Sequence, residues 1–250
     1  MKQIILLIFL LTLSAVAEDK KQKVTIGLGP YIQTQPYVNT DAIVLPSPVV
    51  FFDNGLFYIR WSRAGVYFLG NKGEDFSWGV SLTVQPRVQS LDTSSSDSLQ
   101  GIDDKKATFE GGLALSVAYK DAYVESMLLT DILDHHKAWI FKTEAGYDFN
   151  IGNFKLYPSL IVIYQSSDFV NYYYGVSQEE ANNSSFNRYD TSSGFQIGVQ
   201  TYIKYPLSEN LSTLINLRVD KLPKTAKESP LIETDLIYSG LVSLIYTFEY

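Results

Sequence analysis

One stretch reads Leu236-Ile237-Tyr238-Ser239-Gly240-Leu241-Val242-Ser243-Leu244-Ile245-Tyr246-Thr247-Phe248-Glu249-Tyr250. Of the eight even positions from 236 to 250, seven are apolar or aromatic, whereas five of the eight odd positions from 235 to 249 are polar. A period of two means that neighbouring side chains leave the backbone on opposite sides. The stretch is therefore a long strand with one apolar and one mixed face, not a helix.

Working backwards, the same alternation recurs. Phe195, Ile197, Val199, Ile203 and Tyr205 oppose Gln196, Gln200 and Lys204. Phe109, Leu113, Leu115 and Val117 oppose Glu110 and Ser116, and Trp139, Phe141 and Ala145 oppose Lys142 and Glu144. Twelve strands are predicted, near 24–32, 43–52, 56–61, 64–70, 76–89, 107–119, 122–131, 138–149, 154–165, 192–206, 211–220 and 236–250. The third and fourth alternate poorly. Short turn signals such as Asp53-Asn54-Gly55 and Ile151-Gly152-Asn153 alternate with longer polar stretches at 33–42, 90–106, 166–191 and 221–235. The connectors near Ser62-Arg63 and at 132–137 fall in the longer class.

A soluble barrel would turn its apolar faces inward, and a membrane barrel turns them outward around a polar lumen. Most of the strands run to 10 residues or more, which matches a tilted crossing of about 9–11 residues. The mixed faces carry Gly, Ser, Gln and charges of both signs, and aromatic residues gather toward strand ends, as at Tyr246, Phe248 and Tyr250. The pattern predicts an all-β, transmembrane antiparallel β-barrel of about 12 strands, with short periplasmic turns and longer extracellular loops, in the outer membrane of a Gram-negative bacterium.

The first residues agree with export. Lys2 is followed by an apolar run from Ile4 to Leu13, then by Ala15-Val16-Ala17 before Glu18. This is the layout of a signal peptide, 1–17, cleaved after Ala17, leaving 18–250 as the barrel. The run is too short to span a bilayer as a helix, which takes about 20 residues.

Composition removes several kinds of chemistry. The 250 residues contain no Cys and two His, and the formal charge is −7. Thiol nucleophiles, Cys-ligated metals and disulfide frameworks are excluded, and an acidic chain lacks the basic face of a nucleic-acid binder. His135 and His136 sit with Asp134 in a short connector and are expected to be a solvated tip. Asp92–Asp104 and Gln178–Asn183 read as solvated polar loops without the spacing of a calcium loop. The carboxylates Glu110, Glu144, Asp148 and Asp220 have the residue types of a hydrolase pair. They are expected instead to pair with Arg87, Lys142, Arg218 and Lys120 as a polar network inside the lumen, because charges within a barrel need partners. No catalytic residue, cofactor or metal ligand is expected.

Five segments carry a resemblance. Tyr172-Tyr173-Tyr174-Gly175-Val176-Ser177-Gln178-Glu179-Glu180-Ala181, with Tyr189-Asp190 after it, resembles a segment of the MipA/OmpV family of MltA-interacting outer-membrane proteins. Gly27-Leu28-Gly29-Pro30-Tyr31 resembles its opening strand, and Leu45-Pro46-Ser47-Pro48 leading to Phe51-Phe52-Asp53-Asn54-Gly55 its second strand and first turn. Ser229-Pro230-Leu231-Ile232-Glu233 resembles an element of its last long loop. The pattern of Tyr246, Phe248 and Tyr250 resembles the signal by which such barrels reach their assembly machinery, although most end in Phe. The resemblance implies a non-enzymatic barrel in contact with outer-membrane lipid. It further implies a scaffold between a murein-degrading lytic transglycosylase and a murein synthase, or alternatively a permeability or osmotic-response role.

Overall fold

Strand β1 (Lys23–Gln33) pairs antiparallel with β13 (Leu236–Glu249), Lys23 opposite Glu249 and Gln33 opposite Ser239, and this pairing closes the sheet into a ring. The computed structural model describes residues 22–250; the expected signal segment 1–17, with its cleavage position at Ala17, lies outside the described residues. Around the ring follow β2 (Ile43–Asp53), β3 (Phe57–Arg60), β4 (Arg63–Lys72), β5 (Phe76–Arg87), β6 (Thr108–Tyr119) and β7 (Ala122–Asp131). Then come β8 (Trp139–Tyr147), β9 (Phe149–Ile151), β10 (Phe154–Gln165), β11 (Gly194–Pro206) and β12 (Leu211–Lys221). All neighbours are antiparallel. β8 and β9 both pair with β10 and are two pieces of one crossing, broken at Asp148, so the segments form a closed twelve-stranded barrel.

Side-chain parity shows which face is outside. On β11, Phe195, Ile197 and Val199 are exposed while Gln196 is buried, and on β13 Val242, Leu244, Tyr246 and Phe248 are exposed while Ser243 and Ile245 are buried. The apolar band faces out and the polar side chains face in, as the alternation predicts. Aromatic pairs ring one end: Tyr147–Phe149, Phe154–Tyr205 and Tyr246–Phe248, with ring centroids 4.7 to 4.9 Å apart. That end carries the short turns. At one of them Gly55 takes φ +83°, a left-handed value suited to glycine, and donates its N–H to Asp53 Oδ1.

At the closing seam the backbones of β1 and β13 approach so closely that a Cβ on Gly29 would overlap the Val242 carbonyl. Among the described residues no helix is long and apolar enough to cross a membrane.

The third and fourth strands depart from expectation. β3 has four residues, and its tip, Trp61-Ser62, turns back part way up the wall, with the Trp61 N–H donated to the Val50 carbonyl. The connector near Ser62-Arg63 is therefore a tight turn inside the wall and not a loop at its end. Trp61 sits there at φ +57°. The run from Phe57 to Arg60 is too short for a crossing.

The long connections, which include the stretches 92–104 and 178–183 that read from the sequence as solvated polar loops, are folded. Helices α1 (Ser167–Tyr174), α2 (Gln178–Asn183) and α3 (Lys224–Lys227) lie over the loop end of the barrel. Tyr37, Leu91, Leu99, Phe169, Val170, Tyr173, Tyr174 and Leu231 are fully buried there in one apolar cluster, continuous with Ile140 and Ile163 at the rim.

Candidate functional site

The barrel interior and the layer over its mouth are the candidate site. A cavity of about 2010 Å³ takes in the interior, lined from Lys23, Lys72 and Lys204 at the turn end to Gln89, Ile140 and Ile163 beneath the cap, and extends to the outer face, where Trp78 and Val124 also border it.

Charged pairs line this space at several levels. Nearest the cap, the Arg87 guanidinium donates through Nε and Nη2 to Glu110, the latter bond at 3.0 Å, and Gln85 adds another at 3.0 Å. Arg87 also lies 4.7 Å from the centre of the Phe169 ring, so it ties the wall to α1. Arg218 donates to Asp220 at 2.6 and 2.7 Å, and Gln196 donates to the same carboxylate at 2.9 Å. Lys142 stands 3.2 Å from Glu144, which also accepts from Tyr123, Ser159 and Gln200. Each carboxylate is thus met by a cation and by neutral donors, which a charge removed from bulk water requires.

Two residues named from the sequence stand apart from these pairs. Lys120 occupies a turn at φ +51°, with its ammonium over the Tyr119 ring at the barrel end, because a tight turn leaves no side chain pointing inward. Asp148 lines the cavity near the turn end, at the break between β8 and β9, where its N–H is donated to the Asp121 carbonyl. It forms no ion pair with the cations expected to meet it.

A further cluster was missed. Arg60 and Arg63, flanking the hairpin tip, converge on Glu125, which also accepts from Ser116 Oγ at 2.6 Å. Glu125 is an inward position on β7 and was legible by parity. The two arginines were not, because their strands alternate poorly.

One wall of the interior is apolar. Val49, Leu214, Leu241 and Ile245 are buried there, with Tyr31, Trp61 and Tyr202 packed against them. The Trp61 ring is edge-on to Tyr31 and Tyr202, 5.8 and 6.1 Å away, and its Nε1 donates to Ser47 Oγ at 3.0 Å.

The cap accounts for the most distinctive sequence segment. Tyr174 is buried and accepts from Gln89 Nε2 at 2.8 Å, and a Cβ on Gly175 would overlap the Asn171 side chain. Val176 bridges to Tyr189. Ser177 and Glu180 form a capping box, each accepting the other's backbone N–H. Glu180 then accepts from Lys105 Nζ at 2.8 Å and from the Asp103 N–H at 3.1 Å. Burial alone would raise the Glu180 pKa, but the bonds from Lys105, Ser177 and Asp103 outweigh it and hold the carboxyl below its ordinary value. Burial pushes the Tyr37 and Tyr174 hydroxyls up, so they stay protonated. The second distinctive segment meets the first: Ser229 Oγ donates to the Tyr174 carbonyl at 2.5 Å, and Tyr37 OH to the Tyr173 carbonyl at 3.2 Å.

The expected solvated tips are partly absorbed as well. His136 is buried against Phe169, with ring centroids 5.1 Å apart, whereas His135 Nδ1 meets the Ala107 carbonyl at 2.8 Å. Within the segment 92–104, Asp92 Oδ1 accepts the Ser94 N–H and Asp104 Oδ1 the Thr93 N–H, so these carboxylates serve their own loop.

The profile of a family described as MltA-interacting protein MipA matches residues 26–248. The MltA-interacting protein of Escherichia coli K12 is 24% identical over 241 residues, 96% of this chain and 96% of that protein. The outer membrane protein Omp26La of Vibrio anguillarum is 30% identical over 169 residues, 67% of this chain and 64% of that protein. Among solved structures, an outer membrane channel from Pseudomonas putida F1 superposes with a TM-score of 0.47 at 11% identity, covering 93% of this chain and 97% of that one.

Proposed function

The chain belongs to the MltA-interacting protein MipA family and is an outer-membrane β-barrel, and from that premise we propose that it is a non-enzymatic scaffold for cell-wall enzymes. Its partners on this reading are a murein-degrading lytic transglycosylase and a murein synthase, with the barrel-assembly machinery and outer-membrane lipid as its cellular setting.

The observation that carries the reading is the packed cap. In outer-membrane barrels the short turns are periplasmic and the long loops extracellular. A layer with fully buried Phe169, Tyr173 and Tyr174 packs over the loop end, which suits a scaffold better than an open pore. The face left to the periplasm is the rim of turns at 54–55, 73–75, 120–121, 152–153 and 207–210. A stable interface buries about 800 Å² per partner, drawn from about 20–30 residues, so a partner must span several turns at once.

Replacing residues 73–75 and 207–210 together by Gly/Ser turns of equal length is expected to abolish co-purification with a lytic transglycosylase while the barrel still folds. Undiminished capture by the double replacement, or no capture by the unaltered protein under gentle extraction, counts against the scaffold. A small-solute permeability role is the second reading, favoured by the cavity and its charged lining.

A further inference from the structure

The short hairpin leaves the barrel wall incomplete. β2 pairs with β3 only through Phe51, Phe52 and Asp53, while β4 meets β5 as far as Ala64 opposite Val84. Above the hairpin tip, residues 43–49 of β2 and 86–87 of β5 face each other with no strand between them among the described residues. Below, two strands fill that interval. At about 4.8 Å per strand spacing, the edges of the notch stand about 14 Å apart. Lumen-facing Leu45 and Ser47 and lipid-facing Pro46, Pro48 and Phe109 border the cavity at this level, and it also meets the outer face nearer the turns, at Trp78 and Val124.

The sequence fits these edges to be free. In an antiparallel ladder a residue directs its N–H and C=O to the same side. Val50 accepts the Trp61 N–H, so Val44, Pro46 and Pro48 share its direction and face the notch. The Phe76 carbonyl accepts from Gly73 on the β4 side, and β5 keeps regular register with β6, so Pro86 faces the notch from the other side. Proline has no N–H, and within sheets it is confined to such unpaired edges. The β2 edge is left with the carbonyls of Val44 and Pro46, that of Pro48, which accepts from Ser47 Oγ at 3.4 Å, and the single N–H of Val44.

Its surroundings specify what meets it. Val44, 64% exposed, and Phe109 continue the apolar outer band on either side, and Pro46 and Pro48 are exposed. Hydrocarbon lies outside. Unpaired backbone groups are tolerated at membrane depth only where they line a wet cavity, which here is the lumen. Behind the opening stand Trp61, Tyr31 and Tyr202. An acceptor-rich, wetted edge facing hydrocarbon matches a molecule with a donor head and an apolar tail.

We propose that the notch is a lateral port, which admits from the outer leaflet a single-chain amphiphile with a hydrogen-bond-donating hydroxyl or amine head and seats its chain against Trp61. This is independent of the scaffold reading, since it uses the opposite half of the wall.

The full chain with Trp78→Phe and Trp139→Phe retains Trp61 as its one tryptophan, because the sequence has three. In vesicles of unbrominated phosphatidylcholine, added ω-bromoundecanol is expected to remove most Trp61 emission and to saturate. A companion chain carrying Trp61→Phe as well and Gln200→Trp, on the lumen face of intact wall, keeps its emission. Unquenched Trp61, or equal quenching at both positions, overturns the port. If these tryptophan variants fail to fold, nitroxides on Ser47→Cys and Gln200→Cys in the otherwise unaltered chain give the same contrast. With undecanol added, the label at 47 is expected to lose relaxation by a water-soluble nickel chelate and gain relaxation by oxygen, while the label at 200 keeps its preference for the chelate. Equal preference at the two sites overturns the proposal.

Discussion

Lys105 Nζ stands 2.8 Å from Glu180 Oε1, and the two side chains are 8% and 5% exposed in a layer outside the membrane, 75 residues apart in sequence. The pair joins the connection after β5 to α2, and the Ser177 capping box fixes the carboxylate that it uses. Removing one partner of a buried ion pair leaves the other uncompensated, at about 3–5 kcal/mol. Glu180→Ala is therefore expected to loosen the cap by that order, read as faster amide exchange at Asp103 and Ser177, with the strands unchanged.

The same group sets a pH dependence. Because the Glu180 pKa is lower in the folded cap than in the open chain, its contribution is complete above the ordinary glutamate value of about 4.3. It is lost as pH falls from there through the lowered folded value. Cap amides should exchange progressively faster below that range, and Glu180→Gln should flatten the dependence. An unchanged profile in the variant would assign the acid sensitivity to other groups.

Val199 and Gln200 test the inversion. Val199 is 51% exposed on the lipid face, and Gln200 donates to Glu144 inside. Val199→Arg should cost about 2–4 kcal/mol if near the bilayer midplane, with Gln200→Arg much better tolerated. Unfolding in lipid vesicles ranks the two.

The closing seam offers a further measurement. Gly29→Val places side-chain atoms where the Val242 carbonyl lies, so β1 and β13 cannot meet in register. The heat-modifiable folded form should disappear. Phe248→Asp, which puts a charge on the lipid face of the last strand, should lower its yield.

Arg87 holds the wall to the cap through Glu110 and Phe169. Arg87→Met keeps much of the volume but strands Glu110, 1% exposed, and should cost about 3–5 kcal/mol. Adding Glu110→Gln should restore part of that loss, a coupling that a double-mutant cycle measures.

Strand parity made the barrel legible, because lipid outside and polar groups inside impose a strict period of two. It also made Glu110, Glu144 and Asp220 legible as inward carboxylates. The cap was hidden for the converse reason: Leu91, Leu99, Tyr37 and Leu231 come from separate connections and share no period. One signal was present, since Ser177 followed by Glu180 is a helix start, within a stretch that reads as polar loop. The notch was hidden as well. A four-residue strand is too short to show alternation, and only the prolines at 46, 48 and 86 mark the edges that it leaves bare.

The interlocking of the four long connections also governs how the outer face behaves when cut. The connections after β1, β5, β10 and β12 meet in one core at Tyr37, Leu99, Tyr174 and Leu231. A protease that nicks one of them leaves two ends held by the other three, and the barrel keeps its surface although the chain is severed. An antibody raised against the intact protein would meet a patchwork from all four connections, so synthetic peptides copying any single one would be poor substitutes for it.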